Sequence, residues 1–263
     1  MNMFAPYMQN AWIVASLVAL AAGCAGYFVV LRGAGFAAHA LPMAAFPGAA
    51  LAGFLGIARF YGLAVFALAG VAGLTWLKRA QRPDAATALV LVAMLGLGAL
   101  FLSLSGEYGN SVYALLFGQI LGVGAADLPP AFAIGLGVPA LLLLCFRPLT
   151  LSSLAPDLAA ARGLSGAGLD LLFLGLLAVT AAVALPIAGA LLVFTLMVGP
   201  AAAARNLVRA PLPALGLSMV LALLIAWAAL ALAYLTSLPS GFFVGTLSAL
   251  AYLAARLKRG INL

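Results

Sequence analysis

From Leu171 to Ala204, and again from Ala210 to Ala255, the chain runs without a single charged residue. A helix crossing the hydrocarbon core of a bilayer needs about 20 predominantly apolar residues, so each run is long enough for two crossings. The turns fall where helix breakers sit, near Pro186–Gly189 in the first run and at Thr236–Gly241 (TSLPSG) in the second. Whatever else this chain does, these segments must lie in lipid. The rest of the sequence agrees: 6% of its residues are charged, against about 25% in ordinary soluble domains. Twelve basic and five acidic side chains cannot cover 263 residues in water. Soluble enzymes, coiled coils, disordered chains and disulfide scaffolds are excluded together. Cys24 and Cys145 both lie in apolar runs and give no sign of a disulfide framework.

Charges divide the remainder into further candidate spans at 10–31, 40–58, 61–77, 86–104 and 129–146, which makes nine. Eight is the count if the Pro186 region is a kink inside one long helix. A β-barrel is excluded, because its strands alternate polar and apolar residues and these runs are apolar all round. Helices satisfy their own backbone groups in lipid. The expected fold is an all-α integral membrane protein, residues 1–263 forming a single transmembrane domain.

Orientation follows from the basic residues. With the N-terminus outside and nine alternating spans, Arg32, Lys78, Arg79, Arg82, Arg147, Arg162, Arg205, Arg209, Arg256, Lys258 and Arg259 all fall on the cytoplasmic side, as does the C-terminus. Arg59 alone falls outside, so the pattern obeys the positive-inside rule. The same scatter between apolar runs argues against nucleic acid as a partner. The arrangement requires that residues 108–124 (YGNSVYALLFGQILGVG) do not cross. They are read as a short helix dipping into the outer leaflet, where broken backbone is tolerated beside protein or a cavity. Met1–Asn10 carries no charge, unlike the basic start of a cleaved signal peptide, and the first span is expected to be retained.

One connection stands out, the inner loop from Arg147 to Asp170. Pro156 and Asp157 suit the start of a helix, residues 158–162 suit one or two turns, and Gly163 suits the C-terminal cap. Leu158 and Leu164 are then available to a partner; the plain alternative is a solvated connector. No GxxxxGK[ST] phosphate loop occurs anywhere, so any ATP-driven motor must be another chain.

Ionisable groups at membrane depth are costly and point to function. His39 is the only histidine, near the inner end of the second span, and Met43 lies one helical turn on, on the same face. Imidazole nitrogen and thioether sulfur form a partial, soft metal site, completed by water, a carbonyl or another helix. The alternative is a histidine bonded to a loop carbonyl beside a packing methionine. Cys24, Met94, Cys145 and Met197 add soft ligands only if the helices bring them close. Pro42, Pro47, Pro186 and Pro200 suggest kinks and local unwinding. An intramembrane enzyme would need paired carboxylates or a nucleophile with its base. Asp84, Asp157 and Asp170 sit at the inner boundary, Glu107 and Asp127 at the outer, and His39 has no ionisable partner.

Five stretches in register resemble the membrane subunit of the ABC importers for zinc and manganese. They are YFVVLRG (27–33), FPGAALAG (46–53), ALLFGQILGV (114–123), APDLAAARGL (155–164) and GALLVFTLMVGPAAAAR (189–205). The resemblance implies a vitamin-B12-permease-like fold in the bacterial cytoplasmic membrane. It implies that Pro156, Asp157, Leu158, Ala159, Arg162, Gly163 and Leu164 form a coupling helix for a cytoplasmic ATPase subunit. It also implies a second permease subunit, most simply a copy of this one, and an external metal-binding protein, with a divalent metal as cargo and no permanently bound cofactor. Phe117, Gly118 and Gln119 would lie near the entrance, Gln119 where an acidic residue is common in the family. Between the RG of span one and the PG of span two, members commonly carry an Asp and, four residues on, a His. Those positions here are His39 and Met43, which favours zinc or a softer metal over manganese. A chelate or small organic solute is the alternative cargo, and a membrane scaffold a distant third reading.

Overall fold

The computed structural model describes residues 6–57, 59–77, 83–105 and 123–261. Of the expected outer short helix only Val123 and Gly124 fall within that range; Phe117, Gly118 and Gln119 lie outside it. Among the described residues every regular element is helical. In chain order these are α1 (Pro6–Leu31), α2 (Gly35–Leu55), α3 (Arg59–Leu77), α4 (Pro83–Ser105), a 3-10 turn (Ala125–Asp127), α5 (Leu128–Leu144), α6 (Phe146–Leu154), α7 (Pro156–Ala161), α8 (Gly166–Ala188), α9 (Ala190–Leu207), α10 (Pro211–Thr236) and α11 (Ser240–Ile261).

The nine expected spans correspond to α1–α5 and α8–α11. Seven of them are long and apolar enough to cross a membrane by length and composition; α3 and α9 contain shorter apolar stretches, 60–76 and 192–207. The two long uncharged runs each divide where the breakers predict. Gly189, at φ +77°, separates α8 from α9, and Ser237 to Pro239 separate α10 from α11.

α1 is the hub. It packs against α5, α8, α9 and α10, while α2 packs against α3, α4, α8 and α9, so that α8 and α9 join the two groups. Small residues let backbones approach closely where lipid offers no hydrophobic drive for helices to associate. The α2–α3 crossing shows this: a Cβ on Gly48 would overlap the carbonyl of Gly62, and one on Gly62 the carbonyl of Gly48. Polar side chains add ties between helices. Ser218 Oγ on α10 donates to the Gly23 carbonyl on α1 at 2.7 Å. Trp227 Nε1 donates to Ser16 Oγ at 2.8 Å, and that hydroxyl donates to the Trp12 carbonyl.

Two expectations gain detail. The connection expected at Arg147–Asp170 carries more helix than the short 156–164 element: α5 ends at Leu144 and residues 146–154 form the helix α6. Pro148 lies in the first turn of α6, where a backbone N–H has no intrahelical acceptor to lose. Local unwinding at the prolines is not seen in α2, which continues through Pro42 and Pro47 with both buried. Membrane helices tolerate internal proline because neighbouring groups take up the freed carbonyls.

Candidate functional site

The C-terminal end of α1 turns sharply into α2. Gly33, at φ +63°, allows a turn in which Ala34 N–H donates to the Val29 carbonyl and Gly33 N–H to that of Val30, a glycine-capped helix end. Arg32 lies at this elbow, and its side chain points inward. Only 10% of it is exposed. Arg32 Nη1 donates to Asp170 Oδ1 at 2.5 Å, Arg32 Nη2 to Ser152 Oγ at 2.7 Å, and the guanidinium lies 5.1 Å from the Phe173 ring centroid. Such stacking on an aromatic face suits arginine better than lysine. Ser152 Oγ in turn donates to the Leu149 carbonyl. Arg32 Nε is buried with no hydrogen-bond partner. Three elements thus meet on one guanidinium: the α1–α2 elbow, α6 and the first turns of α8.

Between α6 and α8 lies the expected coupling helix, here α7. Its first residue is Pro156, and its end is a Schellman motif, with Leu164 N–H donating to the Ala159 carbonyl and Gly163 N–H to that of Ala160. Gly163 has φ +74°, which an L-residue adopts at a cost. Ala159 is buried and anchors the turn. Pro156, Asp157, Leu158, Arg162 and Gly163 are exposed, and Leu164 is half-buried. Ser165 then caps α8 by accepting from the Gly168 N–H at 3.1 Å. Beside α7 runs an open groove of about 930 Å³, walled by Arg147, Leu151 and Leu154 of α6, by Arg162 and Leu164, and by Pro211 to Pro213 of α10.

The metal-pathway candidates sit just beyond the elbow. From Ala37 to Ala50 every residue of α2 is buried except His39 and Met43, which are partly exposed. They share one face of the helix, as the spacing of four requires. The His39 ring meets Phe194 of α9 edge-on, centroids 4.9 Å apart. An imidazole left partly open at membrane depth is unfavourable against lipid, so this face suits a path or a protein partner. Among the described residues no group of three or more His, Cys, Asp and Glu side chains is placed to hold a metal ion. Cys24 is buried in the α1 core, as is Met197 on α9.

The Arg32–Asp170 pair is the feature that sequence reading passes over, since 138 positions separate its members. The available signal was scarcity. With five acidic residues in the chain, each one at the end of a span is a candidate partner for a buried base.

Known proteins resemble this chain along most of its length. A permease named for manganese import, ScaB of Streptococcus parasanguinis, is 32% identical over 202 residues, covering 75% of this chain and 71% of the relative. A membrane protein of a manganese transport system, MntC of Listeria monocytogenes, is 29% identical over 75% of the chain and 71% of its own length. Among solved structures, PsaBC from Streptococcus pneumoniae in complex with Fab superposes with a TM-score of 0.87 at 26% identity, covering 96% of this chain and 92% of that one. The family model for the ABC 3 transport family matches residues 4–259, and with the all-helical permease fold already in place the chain belongs to that family as a multi-pass membrane permease.

Proposed function

We propose that this chain is the permease subunit of an ATP-driven importer for a divalent transition-metal ion in the bacterial cytoplasmic membrane. The observation that carries the reading is the α2 face on which His39 and Met43 are the two positions left open within a stretch of fourteen residues otherwise buried. Imidazole and thioether are donors for zinc and softer metals, whereas manganese prefers oxygen. Zinc is therefore the cargo the donors favour, although the relatives above are named for manganese. The ion is substrate, not a resident cofactor.

In this reading a separate cytoplasmic ATPase grips the segment from Pro156 to Leu164, with Leu158 and Arg162 as its exposed contacts. Two permease copies enclose the pathway, and an external binding protein delivers the ion. ATP binding and the orientation of the cargo site bias the same two-state element, as linkage requires.

The test is uptake of radioactive zinc and manganese into proteoliposomes holding the permease, its ATPase and its binding protein. Loss even of a residue that merely supports a metal ligand costs about 10–100-fold, so His39→Ala is expected to cut uptake about tenfold. Unchanged uptake would deny His39 its role. The double variant His39→Asp with Met43→His is expected to move preference from zinc towards manganese. Gly163→Pro, which cannot hold a positive φ, is expected to remove substrate-stimulated ATP hydrolysis while the protein stays inserted. Normal stimulation in that variant would sink the docking role.

A further inference from the structure

We propose that Arg32 is a positioning residue for coupling, clamping the α1–α2 elbow to α6 and α8 so that the helix carrying His39 moves as one body with the docking segment. The inference rests on the transport reading above and extends it to a residue outside both the docking segment and the cargo face. A motor pushing on α7 must move α2 to reorient the cargo site, yet the elbow and the docking segment are far apart in sequence. The structure supplies a short connection. α7 is bounded by α6 and α8, and both contribute a partner to Arg32: Ser152 from α6 and Asp170 from α8. Arg32 is itself two residues before α2 leaves Ala34, and His39 is seven residues on.

A role in topology alone would not require this geometry. A basic residue that only marks the cytoplasmic side is free to reach into the headgroups. Arg32 instead withdraws nine-tenths of its side chain from solvent. Burying a guanidinium is costly unless it is paired and hydrogen-bonded, so the chain spends one of its five acidic residues here. The pairing is also incomplete, because Nε keeps a buried donor without an acceptor. Two of its nitrogens are held by side chains of α6 and α8, which ties both helices to the elbow so that they move with it.

Two measurements on the assembled transporter test the clamp. The first is solute moved per ATP hydrolysed, in the proteoliposomes described above. Arg32→Gln and Asp170→Asn are expected to keep most ATP hydrolysis and to lower transport per ATP about fivefold or more. A merely structural role would lower both together, and either that result or an unchanged ratio would overturn the proposal. The second measurement needs no knowledge of the cargo. Spin labels are placed at Phe36 and Leu171, both exposed, in a chain whose Cys24 and Cys145 are replaced by alanine. Their separation is expected to stay constant between nucleotide-free and ATP-bound wild-type assemblies and to become nucleotide-dependent in Arg32→Gln. A wild-type separation that changes with nucleotide overturns the clamp, even if the variants fail to assemble. Should wild type take up neither zinc nor manganese, the cargo reading falls while the label distances still judge the clamp.

Discussion

α2 and α4 are neighbours of similar length, and α4 is the more apolar of the two, yet 61% of the α2 window is buried inside the protein and only 22% of the α4 window. In water that order would be perverse. In a bilayer it follows, because lipid tails are as apolar as leucine and reward no helix for burying one. What decides is how closely a helix can be approached. α2 is built of alanine, glycine and proline and admits α3, α4 and α8. α4 carries Leu89, Val92, Leu95, Leu97 and Leu100 outward, where lipid solvates them as well as any protein interior. The buried helix is also the one that carries His39 and Met43.

The contrast can be broken experimentally, most forcefully at glycine. Gly48→Val drives a side chain into the backbone of Gly62, which cannot swing aside, and is expected to destabilise by about 3 kcal/mol or more. Gly96→Val on α4 enters open space and should change stability by less than about 0.5 kcal/mol. Thermal unfolding in detergent separates them, and equal loss from both would end the argument. A middle-sized effect is expected at leucine. Leu41 on α2 is fully buried, and Leu41→Ala should cost about 2 kcal/mol, since in lipid the cavity term survives while the transfer term largely vanishes. Leu89→Ala on α4 should cost almost nothing. If the two behaved alike, α4 would be packed against something other than lipid. The smallest effect is expected at Ser218→Ala, which removes one buried interhelical hydrogen bond to Gly23. Such bonds average about 0.6 kcal/mol in membranes, and a loss several times larger would mean that polar ties, not close packing, hold α1 to α10.

Much of the fold was legible before any coordinates. The charge-free runs marked the spans, Gly189 and the TSLPSG turn divided the long ones, and Pro156 with Gly163 bounded α7. Each is a local signal: a breaker, a cap, or a length set by the bilayer. The i, i+4 relation of His39 and Met43 was equally local. Where reading failed, a residue's local character misled. Pro42 and Pro47 suggested local unwinding, and α2 runs through both as helix.

The sequence by itself determined that this chain is a membrane helix bundle and roughly where its helices begin and end. Those properties depend on transfer into lipid and on backbone capping, which neighbouring residues settle among themselves. Only the tertiary structure decided which helices are interior and that Arg32 faces Asp170 across 138 positions. Apolarity does not sort helices in an apolar solvent: α11 is no more apolar than α2 and is only 17% buried. Burial and pairing depend instead on which backbones can come close, and that is a property of two helices at once.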